Sequence, residues 1–421
     1  MKLTRAVTHI CLCAVNDAKV AALDALAAKY ILLCQQYVAY FYAEAETNGY
    51  ADPCFPSSLS QRWQRVAIQQ AAGIARSWRT NHQRAQEEFA DLLAGWLEEE
   101  HSAEEPPTWK SWQIPILRKT VIQANANVAL LQPSQTSAFP YWLRVSTLEK
   151  GQPIFLPVQL ATYHQRCLAG KRVDSNVTLT RKPDGWWLTL TYEEEVSLQT
   201  PPDAPIVGVD VGMIHFLTTS TGKHYGSFQG KLAKRHQRDQ EKRRRKARLR
   251  ACLKRKGVEK LPSTHNAKLA RTVRQEINRA VNELYREHPG CHVAFERLNV
   301  AGMRFKARRM NAALYASNLA HIPKQLAWGA AKRGIEATTV KSAYTSQECS
   351  QCHFVARSNR PEQQTFCCGV CSWQAHADEN AAVNIARRLG DREIQATRSR
   401  PELKALLSAR HQRWREETGW S

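Results

Sequence analysis

The chain has 421 residues, with 60 Lys or Arg against 38 Asp or Glu, for a net charge of +22. So large an excess of one sign opposes compaction and points to an anionic partner, nucleic acid or a membrane surface. No run of about 18 uncharged apolar residues is present to span a bilayer, and the apolar run at 10–15 is too short for a signal sequence. The sequence therefore predicts a cytoplasmic protein that needs no membrane and binds nucleic acid. Its length suits two to four domains of roughly 100–200 residues each.

Residues 3–15 alternate weakly, as a strand does. Asn16 or Asp17 caps a helix expected over 18–42, which Asp52-Pro-Cys-Phe-Pro-Ser-Ser breaks. Further helices are expected at 60–80, with Trp63, Ile74 and Trp78 among the apolar positions, and at 82–97. Glu98-Glu-Glu and Glu104-Glu-Pro-Pro close this helical unit near residue 105. From 109 to 196 the pattern becomes β. Its clearest piece is Val177-Thr-Leu-Thr-Arg, a Lys182-Pro-Asp-Gly turn, and Trp186-Trp-Leu-Thr-Leu-Thr-Tyr192, a hairpin signal. Pro201-Pro-Asp-Ala-Pro is a stiff boundary.

Beyond it lies Ile206-Val-Gly-Val-Asp-Val-Gly, an apolar run interrupted by one carboxylate. Residues 231–256 hold fourteen Lys or Arg and two acids, and their sparse leucines suit a solvated helix. A helix is expected at 265–288, a strand at 291–296, a helix over 311–333, a strand at 335–342 and a helix at 379–389. From 391 onward the sequence reads as a charged, partly disordered tail. No internal repeat is present.

Three carboxylates stand out. Asp210 interrupts an apolar run, Glu296 ends an apolar strand, and Asp378 opens a helix in His376-Ala-Asp-Glu-Asn-Ala-Ala. Burying a lone ionised carboxylate costs several kcal/mol unless it is paired, and metal ligation is the commonest compensation. Each acid alone has a plainer explanation: a cap or turn residue for Asp210, a partner of Arg297 or a helix terminus for Glu296, an N-cap for Asp378. Their order, strand acid, strand acid, helix acid, is what an RNase H-like sheet requires. Together three such acids can hold two magnesium ions about 3.5–4 Å apart across a scissile phosphate.

Twelve cysteines fall into two populations. Seven are scattered, at positions 11, 13, 34, 54, 167, 252 and 291, as buried apolar residues are in a reducing compartment. Among the other five, Cys349-Ser-Gln-Cys352 and Cys368-Gly-Val-Cys371 form two Cys-x2-Cys knuckles fifteen residues apart. Each knuckle offers two thiolates from one turn, and the four suit one structural zinc. Cys367 and His353 are weaker competitors.

Tyr344-Thr-Ser-Gln-Glu-Cys-Ser-Gln-Cys352, Phe366-Cys-Cys-Gly-Val-Cys371 and Asp378-Glu-Asn-Ala-Ala-Val-Asn-Ile385 together resemble the zinc ribbon and third RuvC motif of the TnpB family. TnpB proteins are encoded by insertion sequences and are similar to compact type V CRISPR effectors. Val207-Gly-Val-Asp-Val-Gly212 resembles the first RuvC motif and Phe295-Glu-Arg-Leu-Asn-Val-Ala-Gly-Met303 the second. The match covers about residues 205–390. Where the family usually has Gly after each Cys-x2-Cys, this chain has His353 and Ser372.

The resemblance implies an α+β multidomain protein. Its RuvC-like, RNase H-like α/β nuclease core would carry an inserted zinc ribbon and follow a β-rich wedge domain with a helical recognition insertion. The wedge would comprise residues 1–15 and 106–200, and the insertion 16–105. The core would take 201–344 and 376–390, the ribbon 345–375, and the charged tail 391–421. It also implies an RNA-guided DNA endonuclease with a guide RNA and target double-stranded DNA as partners. Asp210, Glu296 and Asp378 would then be catalytic ligands of two Mg2+, and Cys349, Cys352, Cys368 and Cys371 ligands of one Zn2+. Lys234, Arg235, Arg238, Arg243, Arg244, Arg245, Lys246 and Arg248 are candidates to track phosphates, the alternative being a merely solvated helix. The tryptophans, Trp186 and Trp187 among them, pack in cores or stack on bases. A compact CRISPR effector and an RNA-guided repressor that does not cut remain alternatives. A strand-transferring transposase fits less well, because no His-x-His pair occurs. Monomer and dimer are not distinguished.

Overall fold

A computed structural model describes residues 2–12, 15–43, 54–98, 106, 108–109, 111–258, 267–296 and 308–420. They fall into two compact units, one of residues 2–88 and 108–195, the other of 89–107 and 196–421. Among the described residues no helix is long and apolar enough to cross a membrane.

The first unit opens with strand β1 (Lys2–Cys11), helix α1 (Asp17–Ala43) and the part of helix α2 (Gln61–Glu98) up to Glu88. Strands β2 (Val121–Ala124), β3 (Ala129–Pro133), β4 (Tyr141–Val145) and β5 (Ile154–Val158) follow. Helix α3 (Thr162–Leu168) then leads to the long hairpin of β6 (Arg172–Lys182) and β7 (Gly185–Glu195). One antiparallel sheet has the order β1-β7-β6-β2 and a second the order β3-β4-β5. Leu23, Leu26, Tyr30, Leu33, Tyr37 and Phe41 recur at helical spacing along α1 and share a core with Trp63, Ile122, Leu143, Leu156 and Leu188. Trp63 and Trp186 belong to this core. The Trp63 indole donates to the Ser146 carbonyl at 3.1 Å and the Trp186 indole to Asp24 at 2.9 Å, so neither is free to stack on a base. Trp187 lies outside it, beneath Lys182 Nζ at 3.9 Å. The break expected between residues 80 and 82 is absent. Thr80-Asn81-His82 contains neither Pro nor Gly, and α2 runs straight through.

The second unit is built on a five-stranded sheet of order β10-β9-β8-β11-β12. Its strands are β8 (Ile206–Asp210), β9 (His215–Thr219), β10 (His224–Ser227), β11 (His292–Glu296) and β12 (Ala337–Val340). β8, β11 and β12 run parallel, whereas β9 and β10 are antiparallel additions. The parallel crossovers are helical: α4 (Lys231–Arg255) and α5 (Ala267–Glu287) precede β11, and α6 (Arg308–Ser317) and α7 (Ile322–Ala331) precede β12. The single helix expected over 311–333 is thus two. Asn318 turns left-handed at φ 54, and Pro323, in the first turn of α7, has no N–H with which to continue the ladder.

After β12 come two short strands, β13 (Thr365–Cys367) and β14 (Gln374–His376), then helix α8 (Ala377–Arg388). The tail expected to be partly disordered instead forms helices α9 (Arg392–Ala396) and α10 (Arg400–Thr418). Its few apolar residues suffice: Ile394, Leu403 and Leu407 pack with Ala343, Tyr344 and Val355. Ser399 caps α10 by accepting from the Glu402 amide, and Arg410 pairs with Asp391 at 2.6 Å.

The sheet's alternation sorts its side chains. Val207 and Val209 of β8 and Val211 just beyond it, with Val293 and Phe295 of β11, join the core made with α5 and α7. Ala294 instead joins Val340 of β12 and Ile385 of α8. The odd and even positions therefore face different helices, and the face toward α8 is the one that carries the acids.

Candidate metal centre

β8 and β11 pair in parallel with Val209 opposite Phe295, so Asp210 and Glu296 stand one step further on, on neighbouring strands and the same face. Asp378, in the first turn of α8, faces them. Gly208 makes this close packing possible. A Cβ there would lie 2.0 Å from the Ala382 carbonyl oxygen and 2.6 Å from the Ala386 nitrogen, so only glycine lets α8 lie on β8. Gly212 closes the motif, with the site of its missing Cβ 3.9 Å from Asp378 Oδ2.

Glu296 and Asp378 both bear on Asp210. Burial pushes the Asp210 carboxyl well above its ordinary range, the charges of Glu296 and Asp378 add to the shift, and Arg360 opposes it. Burial raises Glu296 to about 6, against a hydrogen bond from Thr345 and the charge of Arg388. Asp378 accepts from Arg360 Nη2 at 2.8 Å. Buried carboxylates whose charged form is disfavoured, as at Asp210 and Glu296, are a fit for divalent cations, which offset the cost of that charge. The carboxylates are more loosely grouped than the cysteines. Among the described residues only Cys349, Cys352, Cys368 and Cys371 bring at least three ligand atoms all within 4.8 Å of one another.

The cysteine cluster is tight. Cys349 and Cys371 sulfurs lie 3.6 Å apart, and Cys352 and Cys368 sulfurs 3.5 Å. A tetrahedron with Zn–S bonds of about 2.3 Å has edges of about 3.8 Å, whereas a disulfide needs about 2.05 Å. The thiols fit a tetrahedral zinc and are not bonded to each other. A hydrogen bond from Cys352 holds the Cys349 thiol down to about 5. The same contact pushes Cys352 up, and burial raises Cys371 to about 11. The Gln351 and Val370 amides donate to the Cys349 and Cys368 sulfurs at 3.4 and 3.5 Å. His353 does not compete, because its Nδ1 pairs with Glu348 at 2.9 Å. His353 and Ser372, the residues after each knuckle, adopt φ of 60 and 58. These are the left-handed positions for which glycine is favoured.

Four residues of the centre escaped the sequence reading: Arg360, Thr345, Glu348 and Arg388. Arg360 comes from the loop between the knuckles and has no local signature. Glu348 and Arg388 form a buried ion pair at 2.7 Å, with the Arg388 side chain 2 % exposed. Asn380, Asn384 and Arg388, at i, i+4 and i+8, line the buried face of α8 and bind the 341–350 segment. That polar stripe on the face where apolar residues are expected was a readable signal. Beside Asp378, the His215 and His224 rings stack at 4.4 Å and His376 meets His224 at 5.3 Å. Burial, with His224 and His376 adding, keeps the His215 pKa below its ordinary value.

Of the eight predicted basic residues, all on α4, Lys234, Arg238, Arg243, Arg244, Arg245, Lys246 and Arg248 are exposed. Arg235 donates to Thr272 at 3.3 Å. Arg244 lines a cavity of about 570 Å³ together with His236, Gln240, Met213, Phe228 and Gln363. The Gln363 carbonyl accepts from Arg360 Nε at 3.1 Å, and Arg360 reaches Asp378, so one side chain links this cavity to the acids.

Residues 189–306 match the family model described as "Probable transposase" (OrfB_IS605), and residues 320–385 match that described as "Cas12f1-like, TNB domain". Over 268 residues, 60% of this chain, the sequence is 28% identical to the "Putative RNA-guided DNA endonuclease InsQ" of Escherichia coli (strain K12). Over 65 residues, 15% of this chain, it is 38% identical to the "CRISPR-associated endodeoxyribonuclease Cas12f1" of Sulfoacidibacillus thermotolerans. The chain spans 65% of the length of the first relative and 15% of the second. Among solved structures, a Cas12f1–sgRNA–target DNA complex aligns with 88% of this chain and 83% of its own at 16% identity and TM-score 0.44. CasPhi-2 (Cas12j) bound to crRNA and phosphorothioate DNA aligns with 92% and 91% at 10% identity and TM-score 0.39. Asp210 and Glu296 fall inside the probable-transposase segment, the four cysteines, Arg360 and Asp378 inside the TNB domain, and through these two modules the chain is similar to the TnpB family.

Proposed function

We propose that this chain is an RNA-guided DNA endonuclease of the TnpB type that hydrolyses DNA phosphodiesters at Asp210, Glu296 and Asp378. The observation that carries this reading is the convergence of three acids from β8, β11 and α8, where burial first, and the charges of Glu296 and Asp378 after it, hold the Asp210 carboxyl well above its ordinary range. The relatives named as RNA-guided DNA endonuclease and endodeoxyribonuclease support it. In this reading the sheet is an RNase H-like, RuvC-like core and the cysteine segment a zinc ribbon. Residues 1–15 and 106–200 serve as a wedge and 16–105 as a recognition unit. Guide RNA and target double-stranded DNA are the partners.

Two magnesium ions held by the three acids would supply activation of the attacking water and stabilisation of the leaving oxygen. The protein's own groups prepare the site. Gly208 lets α8 bring Asp378 to β8. Arg360 balances the carboxylates and has further N–H donors to offer a phosphate oxygen. The linked cavity, with Phe228 and Met213 for a base and Arg244 for a phosphate, suits the strand that is cut. The exposed cations of α4 track the backbone beyond it. One zinc at Cys349, Cys352, Cys368 and Cys371 would fix the loop that carries Arg360.

The test is to purify the protein with co-expressed RNA, sequence that RNA, and present the complex with a target library in magnesium. A discrete retained RNA and metal-dependent cutting are expected; failure to retain one RNA overturns the guided reading. Asp210→Ala should abolish cutting while RNA and target binding persist, and a variant that still cuts removes Asp210 from the catalytic set.

A further inference from the structure

We propose that Thr345 is a positioning residue, whose hydroxyl orients Glu296 for the cation and ties that acid to the zinc knuckle. This rests on the reading of Glu296 as a metal ligand. Thr345 is 3 % exposed, and its Oγ1 donates to Glu296 Oε1. The same hydroxyl lies 3.0 Å from the Ser342 carbonyl, but one proton serves one acceptor at a time and a carboxylate is the stronger acceptor. With Oε1 engaged, Glu296 is restrained from rotating and its other oxygen is left for a cation. Partners of this kind commonly fix how a ligating carboxylate points.

Thr345 is itself held by the segment that leads into the first knuckle. Its carbonyl accepts from Asn384 Nδ2 at 3.0 Å, and the same amide reaches the Glu348 carbonyl at 2.7 Å. Glu348 is clamped by Arg388 at 2.7 Å and His353 at 2.9 Å, and its chain neighbour Cys349 is a predicted zinc ligand. The Ser350 amide donates to Asn380 at 3.0 Å, closing the segment onto α8. The cysteine cluster and the acid centre are thus joined through five residues, 345–349, with Thr345 at the acid end. Zinc occupancy therefore bears on the affinity of the acid centre for its cation, and by linkage the reverse holds.

The experiment measures Mn2+ binding by electron paramagnetic resonance on the full chain, without DNA, with zinc content measured in parallel. Thr345→Val, of similar shape but without the hydroxyl, should weaken Mn2+ binding by about tenfold or more. Thr345→Ser should restore it. In the parent, stripping zinc with a chelator should weaken Mn2+ binding in the same sense, a readout that depends on no variant folding. Thr345→Val that keeps zinc and binds Mn2+ like the parent overturns the inference, as does Mn2+ affinity that is unchanged when zinc is stripped. A parent whose Mn2+ binding is absent, or survives Asp210→Ala, overturns the metal-site reading itself and this inference with it.

Discussion

The cysteine cluster and the carboxylate centre touch the same loop, yet they arise in opposite ways. The four cysteines lie within residues 349–371, and each pair comes from one tight turn, so their meeting is settled locally. The three acids come from positions 210, 296 and 378, and meet only when two strands pair in register and α8 lands on β8. A locally encoded site fails when its ligands are lost; a globally assembled one fails when its packing is lost.

The largest expected effect breaks the local site. Cys368→Ser combined with Cys371→Ser should abolish stoichiometric zinc, because two thiols cannot replace four. The loss should also lower the unfolding temperature of the second unit, since Phe366 and Phe354 pack around the cluster and His411 of α10 sits 2.7 Å from the Cys352 carbonyl. A double variant that holds zinc as the parent does would show that the ligand set is wrong.

Next comes the global site. Gly208→Ala removes no ligand, but its Cβ meets Ala382 backbone at 2.0 Å, and backbone cannot swing aside. Overpacking of this kind costs about 1–3 kcal/mol or more, visible as a lower denaturation midpoint. Zinc content should be untouched while Mn2+ binding at the acids weakens. Equal damage to both sites would break the distinction between them.

That distinction also sets what was legible in the sequence. The knuckles, the Pro-Asp-Gly hairpin and the basic helix are short-range patterns. Asp210 and Glu296 are carboxylates in apolar strands, a conflict that local reading detects without seeing its resolution. Arg360 and Thr345 carry no such conflict; they matter only because the fold carries them to Asp378 and Glu296. The missed break at Asn318 and the unexpected order of α9 and α10 have a related cause. A left-handed residue and three buried leucine or isoleucine side chains count for little in composition and for much in packing.

The acids also give the centre a pH signature. Glu296 stands at about 6 against an ordinary value of 4.5, and Asp210 is raised as well. A raised carboxyl contributes stability that is fully present below its unfolded value and is lost as pH rises through the folded one. Metal-free protein should therefore lose stability between about pH 4.5 and pH 6, on the order of 2 kcal/mol from Glu296. Magnesium should flatten the decline, and so should Glu296→Gln. Asp391 gives the opposite control: Arg410 and the Ile394 amide overcome its burial and lower its pKa, so its contribution is lost only as pH falls below the ordinary aspartate range. Thermal melts across pH with and without magnesium measure both, and a melt that magnesium leaves unchanged would detach the acids from any cation.

The smallest effect refines the local site. Ser372 follows the second knuckle at φ 58, is exposed, and stands where the TnpB family usually has glycine. A left-handed backbone costs a residue with a Cβ roughly 1–2 kcal/mol. Glycine's greater freedom in the unfolded chain returns about 0.5–1 kcal/mol of that. Ser372→Gly should therefore stabilise the ribbon slightly, by about 0.5 kcal/mol, read as slower zinc release to a chelator. His353→Gly has the same backbone gain at φ 60 but forfeits the 2.9 Å contact with buried Glu348, so it should gain nothing or lose. Two glycine substitutions at equivalent turns then separate backbone strain from side-chain support. If both slow zinc release equally, the Glu348–His353 contact contributes nothing to the knuckle, and the chain of contacts from Cys349 toward Glu296 rests on Arg388, Asn380 and Asn384 alone.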